Sequence, residues 1–174
     1  MSKTTDKHKK RAPGSIKAAV ITVSDSLGNK GRKPNEKDDS GRYISDALKE
    51  AGHEVAFYTV VPDDKETIAE TIEHIIGTYS PDVVITTGGT GIASRDVTIE
   101  AVSGMLDKVL DGFGEFFRRE SFEKLGSAAF LTRATAGVSS GTVIFSLPGS
   151  PDAVKTGMGI ILKEVGHIVK HARE

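Results

Sequence analysis

Apolar residues recur along this chain in two rhythms, and the alternation between them predicts the fold. Ile16 to Val23 is a run of β-branched residues and alanines that reads as a buried strand, and Glu54 to Val61 and Val83 to Thr87 read the same way. Between these runs the spacing becomes helical. Ile44, Ala47, Leu48 and Ala51 recur one turn apart after Ser40, a candidate cap, and Gly52 supplies a stop. Ile68, Ile72, Ile75 and Ile76 give one apolar face to a helix over Lys65–Tyr79. Further helices are predicted over Val97–Leu106 and Gly112–Lys124. Ala134–Val138 and Thr142–Leu147 read as two strands joined by a Ser139-Ser140-Gly141 turn. Pro148 to Pro151 breaks the chain, and Asp152 opens a long helix carrying Val154, Met158, Ile161, Val165 and Ile168. Strands alternating with helices imply right-handed βαβ units, hence an α/β fold with a mostly parallel sheet covered on both faces.

Composition narrows the class. The 174 residues suit one domain, taken as 16–174, and no internal repeat is visible. Hydrophobic residues make up 37% and charged residues 27%, the balance of an ordinary globular chain. No stretch approaches the ~18 consecutive apolar residues of a membrane helix, and no secretory signal pattern is visible, so a cytoplasmic protein is expected. The absence of cysteine excludes disulfides, zinc–thiolate sites, iron–sulfur clusters and thiol nucleophiles. The net charge of -1 divides unevenly: residues 1–15 carry Lys3, Lys7, Lys9, Lys10 and Arg11 against Asp6. The body is therefore mildly acidic, which argues against nucleic acid as the partner. The basic stretch reads as a disordered solvated tail or as a contact for an acidic partner. The segment from Lys30 to Lys37 reads as a charged surface loop. Five of the seven phenylalanines fall between 113 and 130, which core packing or a subunit interface would each explain.

In open α/β sheets, ligands bind beyond the carboxyl ends of the strands. There the polar signals cluster: Thr22-Val23-Ser24-Asp25, Val61-Pro62-Asp63-Asp64, Thr86-Thr87-Gly88-Gly89-Thr90-Gly91, and Leu147-Pro148-Gly149-Ser150-Pro151. The glycine loop is the strongest of them. Backbone N–H groups without Cβ obstruction can turn to an anion, the threonines add hydroxyls, and a following helix would add its positive end. A tight turn with no ligand is the plainer reading. The loop is neither a Walker A motif nor G-x-G-x-x-G, since no Lys-Ser or Lys-Thr follows and Ser94 occupies the last glycine position.

Asp63 and Asp96 each precede a predicted helix. Asp63 with Glu66 has capping-box spacing, and Asp96 is placed to cap a helix starting at Val97. On one rim beside a phosphate loop, the pair could instead hold a hard cation such as Mg²⁺, with Arg95 offsetting phosphate charge. The histidines at 8, 53, 74, 167 and 171 form no recognisable motif. Ser24, Ser26 and Ser150 lack the G-x-S-x-G setting of a serine hydrolase.

Several of these segments together resemble the MoaB/Mog family of molybdenum cofactor biosynthesis. The markers are Thr22-Val23-Ser24-Asp25, Asp39-Ser40-Gly41, Val61-Pro62-Asp63-Asp64, Thr86 to Gly91, Arg95-Asp96-Val97-Thr98, Gly112-Phe113-Gly114-Glu115, Arg133 with Ala136-Gly137, and Leu147-Pro148-Gly149. The resemblance implies a three-layer α/β/α fold that binds molybdopterin and adenylylates its terminal phosphate with MgATP. It places Asp63 and Asp96 at the family's acidic, metal-holding positions. Thr87, Gly88, Gly89, Thr90, Gly91 and Arg95 fall at its nucleotide loop. Ser24, Asp25, Pro148, Gly149 and Ser150 fall along the pterin groove. It further implies a homotrimer or homohexamer and contact with a downstream metal-insertion protein, in a molybdenum or a tungsten pathway. Ile99 departs from the proline many adenylylating members have there. The alternative implied is a non-catalytic molybdopterin carrier, and retention of both aspartates argues against it.

Overall fold

The computed structural model describes residues 13–28 and 38–174. The basic stretch up to residue 12 and the charged segment at 30–37 lie outside the described residues. The sheet has six strands in the order β2-β1-β3-β6-β5-β4. β1 (Lys17–Val23), β2 (Glu54–Val61), β3 (Val83–Thr87) and β6 (Thr142–Leu147) run parallel. β5 (Thr135–Ser139) turns back antiparallel beside β6, and the two-residue β4 (Lys108–Val109) pairs antiparallel with β5.

Successive side chains leave a strand on opposite faces, and the sheet uses this to bind two helical layers. Ala18 and Val20 of β1, Val83 and Ile85 of β3, and Val143, Phe145 and Leu147 of β6 face one side. There they meet Ile44 and Leu48 of α2 (Asp39–Glu50), Phe117 of α5 (Asp111–Leu125) and Val154, Met158 and Ile161 of α6 (Pro151–Ala172). Ala19, Ile21, Val84 and Ile144 face the other side. They pack on Ile68, Ile72 and Ile75 of α3 (Lys65–Tyr79) and Ala101 and Val102 of α4 (Thr98–Ser103). This is the expected three-layer α/β/α arrangement. Among the described residues no helix is long and apolar enough to cross a membrane.

The structure corrects the expected caps. Asp38, not Ser40, caps α2 by accepting from the Gly41 N–H. Ser40 lies inside that helix and donates to Gly149 O across the rim. Asp64, not Asp63, caps α3 by accepting from the Thr67 N–H at 2.8 Å. α4 starts at Thr98 with no side-chain cap, so Asp96 does not cap it. That helix ends at Ser103, well short of Leu106, because the chain turns at Gly104 into β4. Ser150 caps α6, and Pro151 rather than Asp152 opens it. Three short elements are not predicted by the sequence: the single turn α1 (Asp25–Gly28), the two-residue β4 and a 3-10 stretch at Gly126–Leu131.

The phenylalanine-rich segment divides. Phe117 is buried, and Phe113 meets Phe145 edge-on with ring centroids 5.0 Å apart. Phe116, Phe122 and Phe130 are exposed, the last by 87%.

Candidate functional site

The connection leaving β1 leads to α2 on one face, while the one leaving β3 leads to α4 on the other. The carboxyl ends of these neighbouring strands therefore open a crevice at the point where the winding reverses. A cleft of about 320 Å³ sits there, lined by Ser24, Asp38, Ser40, Thr87, Gly88 and Gly149 among others.

The glycine loop forms the wall of this rim. Gly88 has φ +100°, and a Cβ on it would stand 2.2 Å from Val23 O, so only glycine lets β3 leave beside β1. Gly89, with φ +61°, passes just as closely: a Cβ there would lie 2.8 Å from Asp63 Oδ1 and 2.4 Å from Thr98 Oγ1. A Cβ on Gly91 would lie 2.5 Å from Asp96 Oδ2. The loop therefore runs in contact with both aspartates, on the same edge of the sheet.

Each aspartate is held by backbone. Asp63 Oδ2 accepts the Asp25 N–H at 2.9 Å, and Asp25 Oδ1 accepts the Asp63 N–H at 3.0 Å. This reciprocal pair locks the β1 and β2 exits together. Asp96 Oδ2 accepts the Ala93 N–H at 2.9 Å and closes a turn after the loop. Among the described residues no hydrogen bond reaches Oδ1 of either aspartate.

Several groups expected to serve the ligand are already engaged within the chain. The Gly88 N–H donates to Leu147 O and is not open to a ligand. The Thr87 hydroxyl donates to Pro148 O, stitching the glycine loop to the Pro148-Gly149-Ser150 turn. Gly149 comes so near that a Cβ on it would lie 3.2 Å from Gly88 Cα. α4 does not follow the loop directly. Its first residue instead binds loop carbonyls, Thr98 Oγ1 to Gly88 O and Thr98 N to Gly89 O, each at 2.9 Å. Arg95 is exposed. Ser24 lines the cleft, while Asp25 and Ser150 act locally as a latch and a cap.

One side chain at the site has no place in the sequence-based set of site residues. Arg133, just before β5, donates from Nε to Thr90 O at 3.0 Å and from Nη2 to Asp96 O at 3.1 Å. The rest of its guanidinium grips the Glu100 carboxylate, and this hydrogen bond holds Glu100 below its ordinary range. The arginine thus ties the glycine loop, the Asp96 turn and α4 into one body. Its partners lie 33 to 43 residues earlier, so no local spacing reveals it. Only its place among the markers of the resemblance draws attention to it. Asp38 has a similar place on the opposite wall. It is buried, caps α2, and binds the Tyr58 hydroxyl, which burial and this carboxylate push well above the usual tyrosine range.

The family described as "Probable molybdopterin binding domain" matches residues 19–167. Over 173 residues the chain is 50% identical to a molybdopterin adenylyltransferase of Pyrococcus furiosus, covering 97% of this chain and 98% of that one. It is 47% identical to molybdenum cofactor biosynthesis protein B of Bacillus cereus, covering 92% and 93%. The crystal structure of the tungsten cofactor synthesizing protein MoaB from Pyrococcus furiosus superposes with a TM-score of 0.85, over 94% of this chain and 100% of that one.

Proposed function

The chain belongs to the MoaB/Mog family of molybdopterin-binding proteins, and from that premise we propose that residues 16–174 form one domain that adenylylates molybdopterin with MgATP and releases pyrophosphate. The observation that carries the reading is the contact of Asp63 and Asp96 with one glycine loop, at the winding reversal beside a 320 Å³ cleft. The 50% identity to a molybdopterin adenylyltransferase supports the reaction class. The setting is the synthesis of a molybdenum or tungsten cofactor in the cytoplasm, with the product passed to a metal-insertion protein.

The residues present fit Mg²⁺. The donors are hard carboxylate oxygens, and among the described residues no group of three or more histidine or acidic side chains is arranged to hold a metal ion. Mg²⁺ uses one or two carboxylates and fills its remaining positions with water and phosphate oxygens. Asp63 and Asp96 would hold it through Oδ1, since backbone N–H groups fix Oδ2 of each. Held there, it would supply positive charge against the nucleotide phosphates.

The chemistry asks for positioning more than for proton transfer. A terminal phosphate oxygen of molybdopterin bonds to the α-phosphorus of ATP. The bond from that phosphorus to the α,β-bridging oxygen breaks, and pyrophosphate leaves. The nucleophile is already an anion, so no general base is needed. The barrier lies in bringing two anions together. N–H groups from Gly89 to Gly91 meet phosphate oxygens, Arg95 supplies positive charge, and Arg133 keeps the loop in register. The cleft beside Ser24, Ser40 and Gly149 takes the pterin end.

Incubating the purified chain with molybdopterin and MgATP should release one pyrophosphate per adenylyl-molybdopterin formed. Pterin binding without pyrophosphate release would overturn the transferase reading in favour of a carrier.

A further inference from the structure

The catalytic rim uses none of the histidines, yet two of them form an organised pair at the other end of the molecule. α6 starts at the Ser150 cap beside the cleft and runs 22 residues away from it, about 33 Å at 1.5 Å per residue. His167 and His171 stand one turn apart at its far end. There the neighbouring Arg173 pairs with Asp82, which precedes β3.

The two rings meet at 65° with centroids 4.8 Å apart, and their Nε2 atoms are 3.1 Å from each other. On the outer side of each ring a carboxylate faces Nδ1. Glu164 Oε2 lies 3.4 Å from His167 Nδ1, and Glu174 Oε2 lies 3.0 Å from His171 Nδ1. A carboxylate accepts, so it places the ring proton on Nδ1 and leaves Nε2 as the lone-pair side. Two such lone pairs 3.1 Å apart repel each other unless a cation lies between them.

The separation suits an ion. Two imidazole nitrogens each about 2.05 Å from one metal, and 3.1 Å from each other, subtend roughly 100° at it, within reach of both tetrahedral and square arrangements. The carboxylates behind the rings are the usual partners of metal-bound histidine, fixing the tautomer and raising ligand basicity. The negative end of α6 also favours a cation in its last turns. The same charges disfavour an oxyanion there.

We propose that His167 and His171 form a site for a transition-metal dication of the Zn²⁺, Ni²⁺ and Cu²⁺ class, bound through both Nε2 atoms and oriented by Glu164 and Glu174. Water completes the coordination sphere. The site is separate from the Asp63–Asp96 rim in both place and chemistry, since imidazole prefers these metals to Mg²⁺.

The test uses the full chain without an affinity tag, stripped with a chelator and titrated calorimetrically with Zn²⁺, Ni²⁺ or Cu²⁺. One ion per chain is expected, with Cu²⁺ tighter than Ni²⁺ and no competition from Mg²⁺. His167→Gln and His171→Gln should each weaken binding at least 10-fold, and Glu174→Gln by about 10-fold. The Cu²⁺ form should show two coupled nitrogens by electron paramagnetic resonance, falling to one in either histidine variant. Both variants should keep the melting temperature of the stripped wild type and its adenylyl transfer. Equal affinity in wild type and both histidine variants would overturn the proposal. So would the absence of saturable binding by the wild type, which would leave a proton as the only occupant.

Discussion

At the scale of single residues, the adjacent pair Asp63 and Asp64 allows the proposed chemistry to be told apart from folding. Asp64 is the cap of α3, while Asp63 turns to the rim, bound to the Asp25 backbone and touching Gly89. Asp64→Ala should therefore lower the melting temperature and leave turnover intact. Asp63→Asn and Asp96→Asn should behave in the opposite way. Both should melt near the wild-type temperature and still bind molybdopterin, while pyrophosphate release falls by orders of magnitude. Wild-type turnover in both Asn variants would remove the acidic pair from the mechanism. Arg133 makes a different prediction, because it reaches the site through the Thr90 and Asp96 carbonyls. Arg133→Lys keeps the charge but loses the fork, so kcat/KM for ATP should fall by about 10- to 100-fold with pterin affinity unchanged. The same pair gives a pH signature. The Arg133 hydrogen bond lowers the Glu100 carboxyl from its ordinary 4.5. Its contribution to stability is thus complete above that value and is lost as pH falls through the lowered one. Melting temperatures followed downward from about pH 6 should show a smaller acid-side decline in Glu100→Gln than in the wild type.

At the scale of elements, legibility in the sequence followed burial. β2, β3, β6 and α3 span the residues that their apolar runs predict, because each run is complete and packs against neighbours on the sheet. β4 escapes because its two residues are both exposed and exist as a strand only through pairing with Val138 and Gly137. The caps were misplaced where two acidic residues adjoin. Asp63-to-Glu66 and Asp64-to-Thr67 spacings are equally good locally, and the backbone of Asp25, 38 residues away, decides between them. The glycine loop was legible as a tight loop at the strand ends, but not that its first N–H, its Thr87 hydroxyl and the start of α4 are consumed in holding it. The loop is consequently an element whose shape is fixed before any ligand arrives. Gly88→Ala should test this. The substitution combines a positive φ with a Cβ 2.2 Å from Val23 O, so the loop must move. A drop in denaturation midpoint together with loss of nucleotide binding is expected. An unchanged midpoint would mean that the loop is plastic.

At the scale of the whole molecule, α5 and the 3-10 stretch leave Phe116, Phe122, Leu125, Phe130 and Leu131 exposed. Apolar surface of that kind is uncommon on a protein that stays monomeric. A mass three or six times 18.5 kDa is expected by light scattering, and Phe130→Ser should reduce it. A monomeric mass for the wild type would contradict the assembly. The strand order has a further consequence, which concerns synthesis. β3 lies between β1 and β6, and its partners across β6 stand some 60 residues further along the chain, as Thr86 and Ser146 show. At about 5–20 residues per second, a ribosome takes roughly 3–12 s to supply that length. Throughout that interval the nascent chain carries a strand that the finished fold buries completely, with one edge unpaired, a ready template for association with other unfinished chains. The rim cannot close either, because the Pro148-Gly149-Ser150 turn arrives with β6. Nascent-chain crosslinking during translation should therefore find β3 accessible to chaperones until the last strand emerges.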